Sequence, residues 1–149
     1  MSTYTQIIYQ IVFSTKHRDH TLVGVDARTL LFKYIWGVLK NNKCVLYKIN
    51  GVEDHIHILT HLHPGTSLSS LVKDIKVSTS IWIKKQHIFP GFEGWGVGYG
   101  AFTYTIKERR ALENYIENQV THHLQTSFLQ EYQELLKKHK IKFDSQFLT

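Results

Sequence analysis

The sequence is poor in cysteine and proline and has no long apolar run. Cys44 is the only cysteine among 149 residues, so an internal disulfide and a zinc site built from cysteines are both excluded. With 2 prolines, 9 glycines and 42% hydrophobic residues, the composition is typical of a compactly folded chain. No run of about 18 apolar residues occurs, and the N-terminus lacks the pattern of a secretory signal. We therefore expect a single cytoplasmic domain over residues 1–149, without membrane association.

Basic residues outnumber acidic ones. Lysine and arginine total 18 against 12 aspartates and glutamates, which gives a net charge of +6 and a pI near 9.4. This balance favours a polyanionic partner, nucleic acid first of all, although solubility alone also accounts for many basic proteins. The candidate phosphate contacts are Lys16, Arg18, Lys73, Lys76 and Lys84.

The hydrophobic pattern predicts the order strand, helix, strand, strand, helix, strand, followed by helices. The predicted ranges are a strand over 4–15, a helix over 26–41 with Asp26 as N-cap, a hairpin of strands 44–50 and 55–62, a long helix capped by Ser67, a strand over 99–105, and helices over 107–123 and 127–138. That order is the split βαβ pattern. We predict an α+β protein, a ferredoxin-like βαββαβ sandwich with an antiparallel sheet and additional C-terminal helices.

Two histidines, His55 and His57, flank Ile56 within the third predicted strand. Side chains alternate across a strand, so both imidazoles point to one face while the isoleucine points to the other. Imidazole binds several divalent metals, and two rings on one face leave room for further ligands and substrate oxygens. The alternative is a pair of solvated histidines on an edge strand. We expect His61 and His63, at the strand end and in the loop, to be solvated.

Tyr115 and Gln119 are four residues apart in a predicted helix and therefore share one face. A phenol attacks only where a metal or a base stabilises the developing charge, and the Gln119 amide oxygen could serve the same cation. The alternative is that Tyr115 packs beside Leu112 as core, with Gln119 solvated. Asn118 is a further candidate contact near this site. We expect the following pair, His122 and His123, to be exposed at a helix end.

The motifs together resemble the single-tyrosine HUH transposase family of insertion sequences and its REP-associated tyrosine transposase relatives. The matching segments follow the family's order along essentially the whole chain: residues 11–16, the HUH motif at 55–59, serines and Ile75-Lys76 within 69–80, Gly98-Tyr99-Gly100-Ala101-Phe102, residues 115–119 with His122-His123, and Glu131-Tyr132 to Leu136. The individual motifs are short, but their joint order and spacing are highly specific.

This resemblance implies a chemistry for the site. Tyr115, on the C-terminal helices, would be the nucleophile, and His55, His57 and Gln119 would bind a divalent metal, Mg²⁺ or Mn²⁺. It also implies cleavage of one strand of single-stranded DNA with hairpin ends, a 5′-phosphotyrosine link, and rejoining by another 3′-hydroxyl without a nucleotide cofactor. Family members are homodimers, and we expect a bacterial or archaeal protein associated with the nucleoid.

Two positions depart from the family pattern. Gly96 follows Trp95 where a glutamine is common, and Gln10 stands where many relatives have histidine. We expect both to alter DNA contacts and neither to touch the chemistry.

Other function classes fit the sequence less well. A non-catalytic ferredoxin-like nucleic-acid-binding module would account for the basic charge but leaves the paired histidines and the Tyr115/Gln119 spacing unexplained. A histidine-triad nucleotide hydrolase needs a histidine at position 59, which is Leu59 here. A two-histidine phosphodiesterase needs two separate His-x-Thr/Ser motifs, and neither 57–59 nor 61–63 supplies one.

Overall fold

An antiparallel sheet organises the residues that the computed structural model describes, residues 1–148. Its four strands are β1 (Ile8–Ser14), β2 (Val45–Gly51), β3 (His55–His61) and β4 (Gly100–Tyr104), in the spatial order β2-β3-β1-β4. All three neighbouring pairs are antiparallel. The predicted ferredoxin-like arrangement is confirmed.

Helices connect and follow these strands. The first, α1 (Val25–Asn41), joins β1 to β2, and α2 (Leu68–Gln86) joins β3 to β4. After β4 come α3 (Arg109–Glu117), α4 (Gln119–His122) and α5 (Phe128–Lys138). Ser67 caps α2 as predicted, whereas Gly24 rather than Asp26 is the N-cap of α1. None of the helices within residues 1–148 combines the length and the apolarity needed to cross a membrane.

The two faces of the sheet are buried by different helices. On one face, isoleucines of β1 and β3 pack with the apolar side chains of α1 and α2. On the other, Ile8 and Leu59 pack against α3, and Val12 and Phe102 pack against α5. The sheet is therefore the middle of three layers, and every second side chain of β3 faces the C-terminal helices.

The predicted continuous helix over 107–123 is wrong. The chain forms a 3₁₀ turn (Ile106–Glu108) and α3, breaks at Asn118, and resumes as α4. The cause lies on β2, where the Asn50 side-chain amide donates to the carbonyl oxygens of Ile116 and Glu117, both at 3.0 Å. These carbonyls would otherwise accept from the next helical turn. As a result Val120, which a continuous helix would place on the same face as Leu112 and Ile116, is 53% exposed.

Gly51 allows the hairpin before His55 to close. A Cβ added at this position would lie 2.5 Å from the His55 carbonyl oxygen and 2.8 Å from Ile56 Cγ2. We expect Gly51→Ala to lower the free energy of unfolding by about 1–3 kcal/mol, the usual effect of overpacking, measured by urea denaturation. Gly37→Ala is the matched control, because a Cβ in α1 there meets nothing within 4 Å. Helix propensity predicts a gain of about 0.5–1 kcal/mol for it. Equal effects of the two substitutions would contradict the packing argument.

Candidate active site

His55 and His57 lie on β3, between β2 and β1, and are both 0% exposed. Their rings point to the sheet face covered by the C-terminal helices, with centroids 5.1 Å apart, while Ile56 and Ile58 point to the opposite core. The predicted alternation is confirmed, and the alternative of solvated histidines on an edge strand is wrong. His61, expected to be solvated, is half-buried and accepts a hydrogen bond from the Ile7 amide at 3.1 Å.

Each buried ring is fixed by a partner at Nδ1. The Asp54 carboxylate lies 2.7 Å from His55 Nδ1, and Gln10 Nε2 lies 3.0 Å from His57 Nδ1. The Gln10 oxygen in turn accepts from the Tyr104 hydroxyl at 2.9 Å. Gln10 therefore contacts His57, a predicted metal ligand, whereas the sequence analysis expected it to affect DNA contacts alone. With Nδ1 engaged, both rings present Nε2 to the same place.

Glu131 of α5 occupies that place. It is 1% exposed, and its Oε1 lies 2.9 Å from His57 Nε2, 3.1 Å from His123 Nε2 and 3.4 Å from His55 Nε2. The same histidines explain its charge state. Burial alone would raise the pKa of the Glu131 carboxyl, but the hydrogen bonds with the three rings outweigh burial and hold that pKa well below its usual range.

The nucleophile candidate Tyr115 contacts the other oxygen of Glu131. Its hydroxyl donates to Glu131 Oε2, which also accepts from Gln119 Nε2 at 3.2 Å. Burial, followed by the charge of Glu131 and the hydrogen bond to it, raises the pKa of Tyr115 far above its ordinary value. The phenol is therefore neutral at pH 7. Gln119 is buried rather than solvated, and its Oε1 lies 3.3 Å from His55 Nε2.

A cavity of about 310 Å³ reaches Tyr115 and Glu131. Leu112 of α3 and Leu135 of α5 form part of its wall, and Gln10 lies at its base beside the sheet. Tyr115 is thus half-buried at the edge of this cavity, whereas Glu131 and the two β3 histidines are enclosed.

Four side chains in this region could hold a metal ion together. His55, His57, His123 and Glu131 each offer one ligand atom, and these atoms lie within 4.8 Å of one another. His123, predicted to be exposed at a helix end, is half-buried and faces the histidine pair, with its ring centroid 4.4 Å from that of His55. The site thus contains more donor atoms than the sequence motifs indicated.

A comparison with models of protein families identifies the family of this chain. The family model described as "Transposase IS200 like" matches residues 3–119, more than half of the chain. The chain belongs to the IS200-like transposase family. The match contains both β3 histidines, Tyr115 and Gln119, and the resemblance noted in the sequence is confirmed at the family level. Curated proteins give no match.

Solved structures of transposases share the fold of this family member. One is a Deinococcus radiodurans R1 protein described as a "putative transposase", 22% identical with a TM-score of 0.62, covering 80% of this chain and 95% of its own. Another is a REP-associated tyrosine transposase bound to a REP hairpin, 18% identical with a TM-score of 0.59, covering 83% of this chain and 74% of its own. These identities support a shared fold.

The basic residues suggested as DNA contacts are not gathered at this site. Lys73, Lys76 and Lys84 lie on α2, which packs against the opposite face of the sheet. Lys76 is half-buried, and its ammonium donates to the carbonyl oxygens of Gly96 at 2.9 Å and Gly98 at 2.6 Å. Lys76 therefore holds the loop between α2 and β4 in place, and burial lowers the pKa of its ammonium.

The other candidate contacts lie on the surface. Lys16 is exposed in the 3₁₀ turn Lys16–Arg18, where Arg18 donates to the Leu148 carbonyl at 3.0 Å. Asn118 is exposed at the break between α3 and α4. A role of these residues in binding DNA stays a prediction.

Sequence reasoning gave no chemical role to Glu131 and expected His123 to be exposed. Both lie in segments that the family resemblance includes, but the resemblance gave neither of them a role in the chemistry. A signal existed in α5, where Phe128, Glu131 and Leu135 recur at helical spacing and all three are buried. A carboxylate on the apolar face of a helix requires a buried partner.

Proposed function

We propose that the protein is a transposase that cleaves and rejoins single-stranded DNA through a covalent 5′-phosphotyrosine intermediate at Tyr115. The observation that carries the proposal is the contact network around one carboxylate. Glu131 bonds with one oxygen to the Tyr115 hydroxyl and with the other to His57, so that a phenol and the buried histidine pair meet within a single chain. Family membership supports the same reaction class.

The residues fit a divalent cation, and we propose Mg²⁺ or Mn²⁺ held by His55, His57 and Gln119. The Nε2 atom of His55 and the Oε1 atom of Gln119 lie 3.3 Å apart, and Asp54 holds the Nδ1 atom of His55. A further ring nitrogen, His122 Nε2, is buried 3.4 Å from Glu131 Oε2 and has no hydrogen-bond partner within residues 1–148. When bound, the cation would polarise a phosphate oxygen and offset the negative charge of Glu131.

In the proposed cleavage step, Tyr115 Oη attacks the phosphorus in line with the bond to the 3′-oxygen. The hydroxyl proton leaves to water as the bond to phosphorus forms, and the hydrogen bond to Glu131 Oε2 orients the phenol for attack. The bond between phosphorus and the 3′-oxygen breaks, and this oxygen takes a proton from water and leaves as a free 3′-hydroxyl. The 5′-phosphate remains esterified to Tyr115. The ester retains the energy of the broken bond, so rejoining needs no nucleotide cofactor.

Rejoining reverses these steps with a different strand end. Another 3′-hydroxyl attacks the phosphotyrosine and loses its proton to water, the bond between phosphorus and Tyr115 Oη breaks, and this oxygen regains a proton from water. The DNA partner we propose is single-stranded with hairpin ends, because a related fold is a REP-associated tyrosine transposase bound to a REP hairpin and the chain carries a net charge of +6. We also propose a homodimer, as the family resemblance implies.

The proposal is tested with a labelled pool of single-stranded hairpin oligonucleotides carrying randomised flanks. We expect incubation with Mn²⁺ or Mg²⁺ to yield a protein–DNA adduct that survives denaturation, together with a free 3′-hydroxyl fragment. The same sequences as blunt duplexes are the control and should give no adduct. Retardation of the single strands in a native gel without any adduct would instead support the non-catalytic nucleic-acid-binding module.

A further inference from the structure

We propose that His123 and Glu131 are ligands of the same cation as the β3 histidines, and that the completed site selects a transition-metal ion over magnesium. This inference rests on the proposed function, because the cation in question is the one that serves strand cleavage. It adds two residues that follow the family match and narrows the metal to one chemical class.

The first argument is the convergence of donor atoms on Glu131. Three ring nitrogens surround a single carboxylate oxygen at 2.9, 3.1 and 3.4 Å, from His57, His123 and His55 respectively. The contacts of His55 exceed what a neutral ring satisfies, because Nδ1 faces Asp54 and Nε2 faces both Glu131 and Gln119, whereas a neutral imidazole carries one proton for two nitrogens. A cation among these atoms satisfies all four groups at once.

The second argument is the set of partners behind the ligands. Histidines that bind a metal through Nε2 hold their remaining proton at Nδ1 against a carboxylate or carbonyl group. His55 has this partner in Asp54, at 2.7 Å. His57 has the side-chain amide of Gln10, whose oxygen and nitrogen exchange places by a rotation of the amide plane. In both rings Nδ1 is occupied by a partner, so Nε2 is the nitrogen left to face Glu131.

The third argument concerns the choice of metal. Magnesium prefers oxygen ligands and keeps several waters, whereas imidazole favours transition metals, with an affinity that rises from Mn²⁺ to Co²⁺. The proposed set contains three imidazole nitrogens, from His55, His57 and His123, and one carboxylate oxygen. Adding the Gln119 oxygen, 3.3 Å from His55 Nε2, leaves nitrogen as the majority donor. The site is therefore better matched to Mn²⁺ or Co²⁺ than to Mg²⁺.

The test measures binding of Co²⁺ to the full chain by visible absorption, without DNA. We expect saturable binding that a large excess of Mg²⁺ does not displace. Glu131→Gln and His123→Asn should each weaken Co²⁺ binding by at least about 10-fold, because even the loss of an outer partner of a ligand costs about 10- to 100-fold. Glu134→Gln is the matched control, as this glutamate is exposed on the same helix and should leave the affinity unchanged.

A second measurement does not depend on how the variants fold. X-ray absorption of the wild-type protein loaded with Co²⁺ should count three imidazole ligands. Two imidazoles, unchanged affinity in both variants, or Mg²⁺ binding as tight as that of Co²⁺ would overturn the proposal. If the cobalt ion has two imidazole ligands and the DNA adduct still forms, only the metal proposal fails. If the cobalt ion has three imidazole ligands and no adduct forms, only the proposed function fails.

Discussion

Replacing Tyr115 with phenylalanine is expected to abolish the covalent DNA adduct. Removal of the hydroxyl takes away the only atom proposed to attack phosphorus, and the loss of an enzyme's nucleophile lowers the rate by about 10⁶-fold where it has been measured. The fold should survive, because the ring keeps its place beside Leu112 and Ile116 and only the hydrogen bond to Glu131 is lost. The free energy of unfolding should fall by about 1.5–3 kcal/mol, the range for hydrogen bonds to charged groups. The adduct assay and urea denaturation measure the two effects.

The matched control for this substitution is Tyr47→Phe. Tyr47 packs against the same apolar cluster as Tyr115, and its hydroxyl donates to Gln6 at 3.2 Å on the surface. Adduct formation should remain at the wild-type level in this variant. An undiminished adduct in Tyr115→Phe would remove Tyr115 from the chemistry and direct the search to another hydroxyl.

The sheet and the direction of its histidines could be predicted because they depend on local patterns. Alternation of apolar and polar residues has a period of two in a strand, so His55-Ile56-His57 fixes which residues share a face before any tertiary contact is known. The hairpin and the cap at Ser67 likewise depend on neighbours in sequence. The structure reproduces the bounds of the second, third and fourth strands within one residue, whereas the first strand begins at Ile8 rather than at residue 4.

The break in the tyrosine helix could not be predicted in the same way. Residues 107–123 carry a helical pattern, and the interruption comes from Asn50, more than sixty residues earlier, whose amide takes the carbonyls of Ile116 and Glu117. Even so, Tyr115 and Gln119 remain neighbours across the break, and Gln119 Nε2 lies 3.4 Å from the Tyr115 carbonyl oxygen. The predicted proximity is confirmed although the helix that was to provide it is not continuous.

The contact of Glu131 with the histidines joins two elements that are distant in the sequence. Its carboxylate meets β3 only because α5 folds back over the sheet, and its charge becomes tolerable there through the histidines. Sequence spacing relates residues on one element but not the approach of two elements. The same limit applies to Lys76. The sequence predicts that its ammonium contacts phosphates, but it donates instead to carbonyl oxygens of the loop after α2.

Replacing His57 with alanine is expected to eliminate metal-dependent cleavage while leaving DNA binding intact. Burial lowers the pKa of His57, despite the neighbouring Glu131, so the ring is neutral at pH 7 and its loss does not change the charge that attracts DNA. The substitution leaves Gln10 Nε2 without its buried partner, which should lower the free energy of unfolding by about 1–3 kcal/mol. The adduct assay, native-gel retardation and urea denaturation separate these three effects.

His61→Ala is the matched control, because His61 lies on the same strand and bonds to the Ile7 amide away from the cluster. This variant should still form the adduct.

Mixing the His57→Ala and Tyr115→Phe proteins tests whether each site is assembled within one chain or between two. Within one chain the Tyr115 ring centroid is 5.9 Å from that of His57, so a site built from a single chain stays inactive in the mixture. Recovery of the adduct in the mixture would show instead that the tyrosine helix of one subunit completes the histidine site of its partner. In the His57→Ala variant alone, loss of DNA retardation would assign this histidine to phosphate binding rather than to the metal.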